Sequence, residues 1–368
     1  MTSDPASRPP VRYARATAEL WRLPLSAPAG GSGISAVDVI VVEVEDSDGR
    51  VGVGFSYVLG AGGAVVRAHA SDLLDRFIVG QPGIPPQALW RRLAGSLNRL
   101  GRGVGYLAIA AIDVAAWDLH AKALGVPLAV AMGGTPRAVP VYGSGGFGAA
   151  QDPEEAIVQA LTYAERGCKA VKLRVAGNTA DIARIGAVAD QLPPDVDIMV
   201  DANEKCDLAH AQWLANACVQ LGVLWLEEPL PASDLGGYAT LSKTARVAIA
   251  TGEHLQGTAE VMPYLDARAV SVVQPDLAMM GGLTETLRVA QLAEQFGLAV
   301  SPHFLPALFV HVAAAAPAVK WLEDFPLLEP LFEGLADFGP DGTMLPPGGA
   351  GHGMRLVPDA RERYRVEA

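Results

Sequence analysis

Seven residues hold most of the chemistry this chain can offer, and they recur at an even pace: Lys172, Asp201, Glu227, Glu253, Asp276, His303 and Glu323. Asp201, Glu227 and Glu253 are carboxylates in three consecutive units. Like charges meeting at a partly dry site repel and raise one another's pKa, and a bound cation is the simplest remedy. Oxygen donors with no Cys or His among them favour Mg²⁺, which takes octahedral oxygen coordination and leaves positions for a substrate carboxylate and water; Mn²⁺ is the alternative. Asp276 and His303 come in the next two units. An Asp accepting from one imidazole nitrogen fixes the tautomer and leaves the other nitrogen as a base of near-neutral pKa. Glu323, as a carboxylic acid with a raised pKa, can donate a hydrogen bond to charge developing on a substrate. Lys172 and Arg174 stand two apart on one strand, so both point to the same face, where they can polarise a carboxylate or take part in proton transfer. Of the other histidines, His69, His120, His210 and His311 fall in helical patterns, His352 lies in the tail and His254 merely follows Glu253. His303 differs in following Ser301-Pro302 at the end of a strand pattern.

The elements that must position these residues are short β-branched runs separated by Ala-rich helical stretches: AVPVYG, KAVKLRV, DIMVDAN, VLWLEEP, VAIATGE, SVVQPD, LAVSPH and VKWLE. Their loaded ends are spaced by about 29, 26, 26, 23, 27 and 20 residues, the length of a strand plus its return helix. Such regularity predicts an α/β fold with a parallel barrel, whose strand ends gather residues distant in sequence at one mouth. Before the barrel, residues 36–57 read as a hairpin turning at Asp46-Ser47-Asp48-Gly49, and residues 64–124 read as helical up to Gly125, so the first third is α+β. Asp152, Pro153 and Glu155 signal a capped helix start with a capping box. Beyond about Pro330 the Gly/Pro-rich tail has no helical period; it is read as folding back on the N-terminal unit rather than forming an eighth return helix. Gly143 to Gly148 matches GxGxxG after a strand, but the next helix opens at Asp152 instead of on the glycines, and the following strand ends in Lys-Leu-Arg instead of a ribose-binding acid. A flexible loop at the barrel rim is the better reading.

Composition narrows the partners. Of 368 residues, 50% are hydrophobic and 18% charged, enough to fold throughout as about two domains. The net charge of −12 comes without a Lys/Arg block, which argues against nucleic-acid and anionic-membrane partners. Cys168, Cys206 and Cys218 form no CxxC pair, which leaves a disulfide scaffold or thiolate zinc site without support and fits a reducing cytoplasm. The first thirty residues hold four arginines and several prolines but no apolar core of an export signal. The mostly apolar stretch 304–319 is broken by Pro306, His311 and Pro317 and stops short of the ~18 residues needed to span a bilayer. A soluble, cytoplasmic protein is expected.

The constellation resembles the enolase superfamily, specifically its mandelate racemase subgroup. The residues carrying the resemblance are KLR at 172–174, DAN at 201–203, LEEP at 226–229, TGEH at 251–254, QPD at 274–276, SPHF at 301–304 and WLE at 321–323. It implies a modified (β/α)7β TIM barrel over residues 136–330, an α+β capping domain over 1–135, and a C-terminal segment, 331–368, packed back on the cap. It implies Mg²⁺ held by Asp201, Glu227 and Glu253, an Asp276–His303 dyad, and Glu323 hydrogen-bonding an enediolate. GFSY at 54–57 and SGGF at 144–147 further resemble acid-sugar dehydratases of the talarate/galactarate dehydratase type, which puts Tyr57, Ser144 and Asn203 against substrate. The hairpin turn and the stretch Arg22 to Ser35 resemble the two loops that close over substrate in that family. Its members are commonly homo-oligomers, so a homo-oligomer is expected.

One departure bears on the reaction. The family's usual KxK has a second Lys as a base opposite the His; here that position is Arg174. At roughly 1.4 kcal/mol per pKa unit, deprotonating an unperturbed Lys at pH 7 costs about 4–5 kcal/mol and an Arg about 7–9. Racemisation needs a base on each face, whereas β-elimination proceeds with His303 alone, first as base and then, as imidazolium, as acid. The leading expectation is therefore dehydration of a sugar acid or diacid to a 2-keto-3-deoxy product. A racemase, epimerase or cycloisomerase is the second reading, and a sugar-acid-binding protein without turnover the third.

Overall fold

The computed structural model of the protein describes residues 11–29 and 33–367. The first ten residues, part of the stretch argued not to be an export signal, lie outside this description, as do 30–32 of the expected Arg22–Ser35 capping loop. The chain opens with an antiparallel sheet of β1 (Tyr13–Ala29), β2 (Ile34–Asp46) and β3 (Val51–Leu59), in the order β1-β2-β3. Sequence reading recovers the β2–β3 hairpin but misses β1, whose first residues alternate around Ala16, Ala18 and Leu20 before the pattern changes at Trp21. Strand β2 is buried on both faces: Val37, Val39 and Val41 join the large core shared with the barrel, and Ile40, Val42 and Val44 join a second core under the helices. A near-continuous Val/Ile run is what such a doubly covered strand requires.

Three helices cover that second core: α1 (Gly63–Phe77), α2 (Pro86–Gly95) and α3 (Gly103–Leu124), the last ended by Gly125 at φ 69°. Short α4 (Leu128–Ala131) leads to the barrel. Helix α3 is the one helix among the described residues long and apolar enough to cross a membrane, and it is mostly buried between the two cores. The mostly apolar stretch 304–319 forms only a ten-residue helix, Pro306–Ala315. Strand β3 lies directly on the α3 backbone because it presents glycines. A Cβ on Gly54 would sit 2.2 Å from both Ala111 O and Ala115 N, and one on Gly52 2.2 Å from Ala115 O. Since neither element can retreat without opening the core, Gly54→Ala is expected to destabilise by about 1–3 kcal/mol or more, read as a lower urea midpoint at unchanged slope.

The barrel alternates β4 (Val139–Gly143), α5 (Pro153–Glu165), β5 (Ala170–Arg174), α6 (Thr179–Ala189), β6 (Asp197–Asp201), α7 (Leu208–Gln220), β7 (Trp225–Glu227), α8 (Leu235–Thr244), β8 (Ala248–Thr251), α9 (Thr258–Asp266), β9 (Val272–Val273), α10 (Leu283–Gln295), β10 (Ala299–Val300), α11 (Pro306–Ala315) and β11 (Leu322–Asp324). All eight strands run parallel in the order β10-β9-β8-β7-β6-β5-β4-β11. A parallel bridge between Val300 and Val319 brings β10 beside the chain entering β11 and closes the ring, a (β/α)7β barrel. Asp152 caps α5 by accepting from Glu154 N–H at 2.9 Å; the reciprocal capping box is built at Asn178 and Asp181 of α6. Gly143, the last residue of β4, serves packing: a Cβ there would fall 2.1 Å from the Tyr163 ring.

Inside the barrel, Tyr142, Ala170, Met199, Trp225, Ala250 and Val272 form an apolar floor with one residue from each of six strands. Two residues further along, the same inward face carries Lys172, Asp201 and Glu227, so strand periodicity alone lifts a charged layer above the floor. The tail returns to the first sheet. Val366 N–H donates to Leu20 O at 2.8 Å, Arg361 pairs with Glu19 and Glu43, and His352 is buried against α3. There His352 donates Nε2–H to Val53 O and accepts Met354 N–H at Nδ1, while His311 accepts Ala129 N–H at Nδ1 and donates Nε2–H to His352 O. Both rings are neutral in these roles. Burial holds the His311 pKa down at about 4, and His352 shifts the same way. Above about pH 6.5, the ordinary His value, neither state carries these protons; as pH falls toward 4 the unfolded chain binds them first, so stability drops. About 3 kcal/mol is expected to be lost over that window from His311 alone, seen in urea melts at pH 7 and 4.5, with a flatter pH slope in His311→Gln.

Candidate functional site

At the C-terminal mouth of the barrel, Lys172 is fully buried, its Nζ 2.6 Å from Glu227 Oε1 and 2.8 Å from Glu323 Oε1, over the Tyr142 ring. The second oxygen of Glu227 accepts from Gln274 Nε2 at 2.5 Å and Trp225 Nε1 at 3.2 Å. Burial raises the Glu227 pKa, and Asp201, Glu323 and Glu253 add to it against the pull of Lys172. Arg174 donates Nη1–H to Asp201 Oδ2 at 2.8 Å and to Asn203 Oδ1 at 2.9 Å, its guanidinium over Phe325 and its buried Nε without a partner. Burial lowers the Arg174 pKa, but Asp201 and the neighbouring glutamates outweigh it and raise it overall.

Glu253, Asp276 and His303 sit just past the last residues of β8, β9 and β10, in the following loops, rather than within the strands. His303 Nδ1 is 2.8 Å from Asp276 Oδ2, and its Nε2 is 3.5 Å from Glu253 Oε2. Asp276 Oδ1 accepts from Met279 N–H. The near-neutral pKa expected of His303 is not found. Burial works against the charged ring, yet Glu253, Asp276 and Glu323 carry it up to about 10. Neutralising Glu253 removes the leading upward pull. Glu323 also departs from expectation. Burial favours its protonated form, but Lys172, His303 and the Phe304 N–H at 2.9 Å overcome it and pull the pKa below the ordinary carboxylate range. In this arrangement Glu323 is an ionised acceptor, not a donor.

Tyr57, expected against substrate, spends its hydroxyl on Asp276 Oδ2, so the cap reaches into the Asp–His pair. Asn203 is tied to Asp201 and Arg174, and the Ser144 hydroxyl is buried without a partner. A cavity of about 210 Å³ opens between cap and barrel, lined by Tyr57, Leu59, Leu107, Glu253, Met279 and His303. The cap therefore reaches the barrel through the end of β3. The β2–β3 turn, expected to close over substrate, is at the other end of the sheet, where Ser47 N–H donates to Arg12 O. A larger groove of about 320 Å³ runs across the outer face of the sheet, far from this chemistry, and its arginines are already paired with Glu19, Glu43 and Glu45.

The carboxylates Asp201, Glu227 and Glu253 fit a hard divalent cation by donor chemistry: all oxygen, in excess of the nearby cations, with Glu227 held above its ordinary range by burial first and by Asp201, Glu323 and Glu253 in addition. Sequence reasoning misses Gln274 and Tyr142, although Gln274 lies two residues before Asp276 in the quoted QPD.

Residues 13–133 match the family model described as mandelate racemase / muconate lactonizing enzyme, N-terminal domain, and residues 155–360 match that of the enolase C-terminal domain-like family. The chain is 35% identical to L-talarate/galactarate dehydratase of Salmonella typhimurium over 92% of its own length and 87% of the relative's. It is 31% identical to 3,6-anhydro-alpha-L-galactonate cycloisomerase of Streptomyces coelicolor, over 93% and 96%. The crystal structure of L-talarate dehydratase from Polaromonas sp. JS666 complexed with Mg and L-glucarate superposes with a TM-score of 0.91 at 35% identity, covering 97% of this chain and 98% of that one. The architecture and both matched segments agree, and the chain belongs to the mandelate racemase and muconate lactonizing enzyme family of the enolase superfamily.

Proposed function

We propose that the protein is a Mg²⁺-dependent acid-sugar dehydratase. The observation that carries this reading is asymmetry: on one side His303 is oriented by Asp276 at 2.8 Å, and on the other Lys172 and Arg174 are locked in ion pairs with Glu227, Glu323 and Asp201. The His303 side is the one that can shed and regain a proton. Asp201, Glu227 and Glu253 would hold the divalent cation, which when bound stabilises negative charge on a substrate carboxylate. With Glu253 neutralised, the His303 Nε2 loses the charge 3.5 Å away and becomes available as a base. His303 takes the proton α to the carboxylate; the electron pair of that C–H bond forms the new C=C as the β C–O bond breaks. The imidazolium then gives the same proton to the departing hydroxide, which leaves as water, and the enol tautomerises to a 2-keto-3-deoxy acid. Lys172 fixes Glu323 and adds positive charge beneath the site. Arg174, with a free Nε–H, binds substrate oxygen and takes no part as a base. Tyr57 steadies Asp276.

The test is a screen of the Mg²⁺-loaded protein against mono- and diacid sugars in D₂O, following keto product with semicarbazide and α-deuterium by NMR. Keto product supports dehydration. The similarity to a cycloisomerase favours the second reading, which predicts isomerised product or α-exchange without keto product. Binding with neither exchange nor product across the library would leave only a binding protein.

A further inference from the structure

Opposite the reacting groups, the cavity of about 210 Å³ between cap and barrel has a wall of carbon. Val58 and Leu59 from the end of β3, Leu107 from α3, and Ala278 and Met279 from the loop after β9 line it, and among the described residues no Lys or Arg does. The polar side chains of the cavity serve one another. Tyr57 donates to Asp276 Oδ2, His303 Nδ1 is held by the same oxygen at 2.8 Å, and His254 has Nδ1 2.9 Å from Glu228 Oε1 and Nε2 3.9 Å from Glu253 Oε1. The basic residues nearby are engaged as well. Arg22, beside Asp38 and Val58 in the sheet register, is bound to Asp38 at 2.8 Å, and Arg102, five residues before Leu107, lies 3.1 Å from Glu260. Lys172 and Arg174 do not line the cavity, and their partners are the carboxylates of the barrel. From Leu23 to Ser35 the sequence has no Lys, Arg or His, so the rest of the expected capping loop adds no cation. A carboxylate at the far end of a substrate would lose water here, gain no partner and face the charges of Asp276 and Glu253.

We propose that the substrate is a monocarboxylic sugar acid with an uncharged far end, and that Val58, Leu59, Leu107 and Met279 reject the corresponding diacid. The inference rests on the dehydratase reading for the chemistry at the first carboxylate and adds what the cap selects at the other end. A hydroxymethyl or methyl end loses little against an apolar wall, whereas a second carboxylate brings a full charge whose desolvation nothing repays. Discrimination of this kind works by exclusion and needs no group that recognises the accepted end.

The experiment is isothermal titration and steady-state turnover of the Mg²⁺-loaded protein with sugar acids arranged in pairs that differ solely at the last carbon, a hydroxymethyl in one and a carboxylate in the other, D-gluconate with D-glucarate among them. In the pair that binds best, the monoacid should exceed its diacid by about 10²-fold or more in affinity and in kcat/KM. Leu59→Arg, at an exposed position, places a cation on the wall and should narrow that gap by about tenfold, while the uncharged Leu59→Gln leaves it. Thermal melts confirm that both variants are folded. A diacid that binds and reacts as well as its monoacid overturns the proposal and leaves the dehydratase reading in place, whereas preferential monoacid binding without keto product does the reverse. A gap that Leu59→Arg leaves unmoved takes the discrimination away from this wall and overturns the proposal too; binding of neither series overturns both readings.

Discussion

Stripped of divalent cations by chelation, the protein is expected to turn over its sugar-acid substrate at less than about 10⁻³ of the Mg²⁺-loaded rate, with activity restored on adding Mg²⁺ back. Three decades correspond to about 4 kcal/mol, within the several kcal/mol a Lewis acid contributes to charge stabilisation. The expectation rests on what remains when the ion is gone. A substrate carboxylate would then face Asp201, Glu227 and Glu253, with Lys172 already shared between Glu227 and Glu323 and Arg174 bound to Asp201. Binding should weaken along with turnover. Isothermal titration of substrate with and without Mg²⁺ checks the first effect and stopped turnover the second; activity that survives exhaustive chelation would remove the cation from the reaction.

His303→Asn is the second large effect. Asparagine keeps polarity and approximate size but cannot carry a proton between carbon and oxygen, so kcat should fall by about 10²–10⁴ with a much smaller change in KM. The exchange of α-hydrogen for deuterium should fall in parallel, because in the proposed reaction His303 performs both steps. That coupling is the informative part. Lys172 and Arg174 have their pKa values raised by the surrounding carboxylates despite burial, which makes both poor bases. Exchange that persists in His303→Asn would mean one of them works as a base after all, and the isomerase reading would replace dehydration.

The barrel was legible because its signal is local and repeated: a β-branched run, a loaded end and a return helix, eight strands over. The Asp276–His303 contact follows from the adjacency of β9 and β10, which a closed barrel requires. What escaped was set by partners distant in sequence. Nothing near Tyr57 shows that its hydroxyl will meet Asp276, 219 residues away. Nothing near Glu323 shows that Lys172 will keep it ionised, since a lone carboxyl in an apolar strand reads as one pushed toward protonation. Strand β1 was passed over because Trp21, Leu23 and Leu25 put its apolar residues on the opposite alternation from Ala16, Ala18 and Leu20. The β2–β3 turn was visible as a turn, but which end of a sheet faces a barrel depends on how cap and barrel pack.

The bond from Val366 N–H to Leu20 O has a consequence for synthesis. Strand β1 leaves the ribosome before any strand of the barrel, yet its outer edge stays unpaired at Leu20 until residues more than three hundred positions later have been made. During that interval a growing chain presents a β-edge rich in apolar side chains, the kind of surface that invites pairing with another chain. The barrel, whose neighbouring strands are mostly consecutive, can assemble meanwhile. The three-stranded sheet is thus begun before the barrel and finished after it.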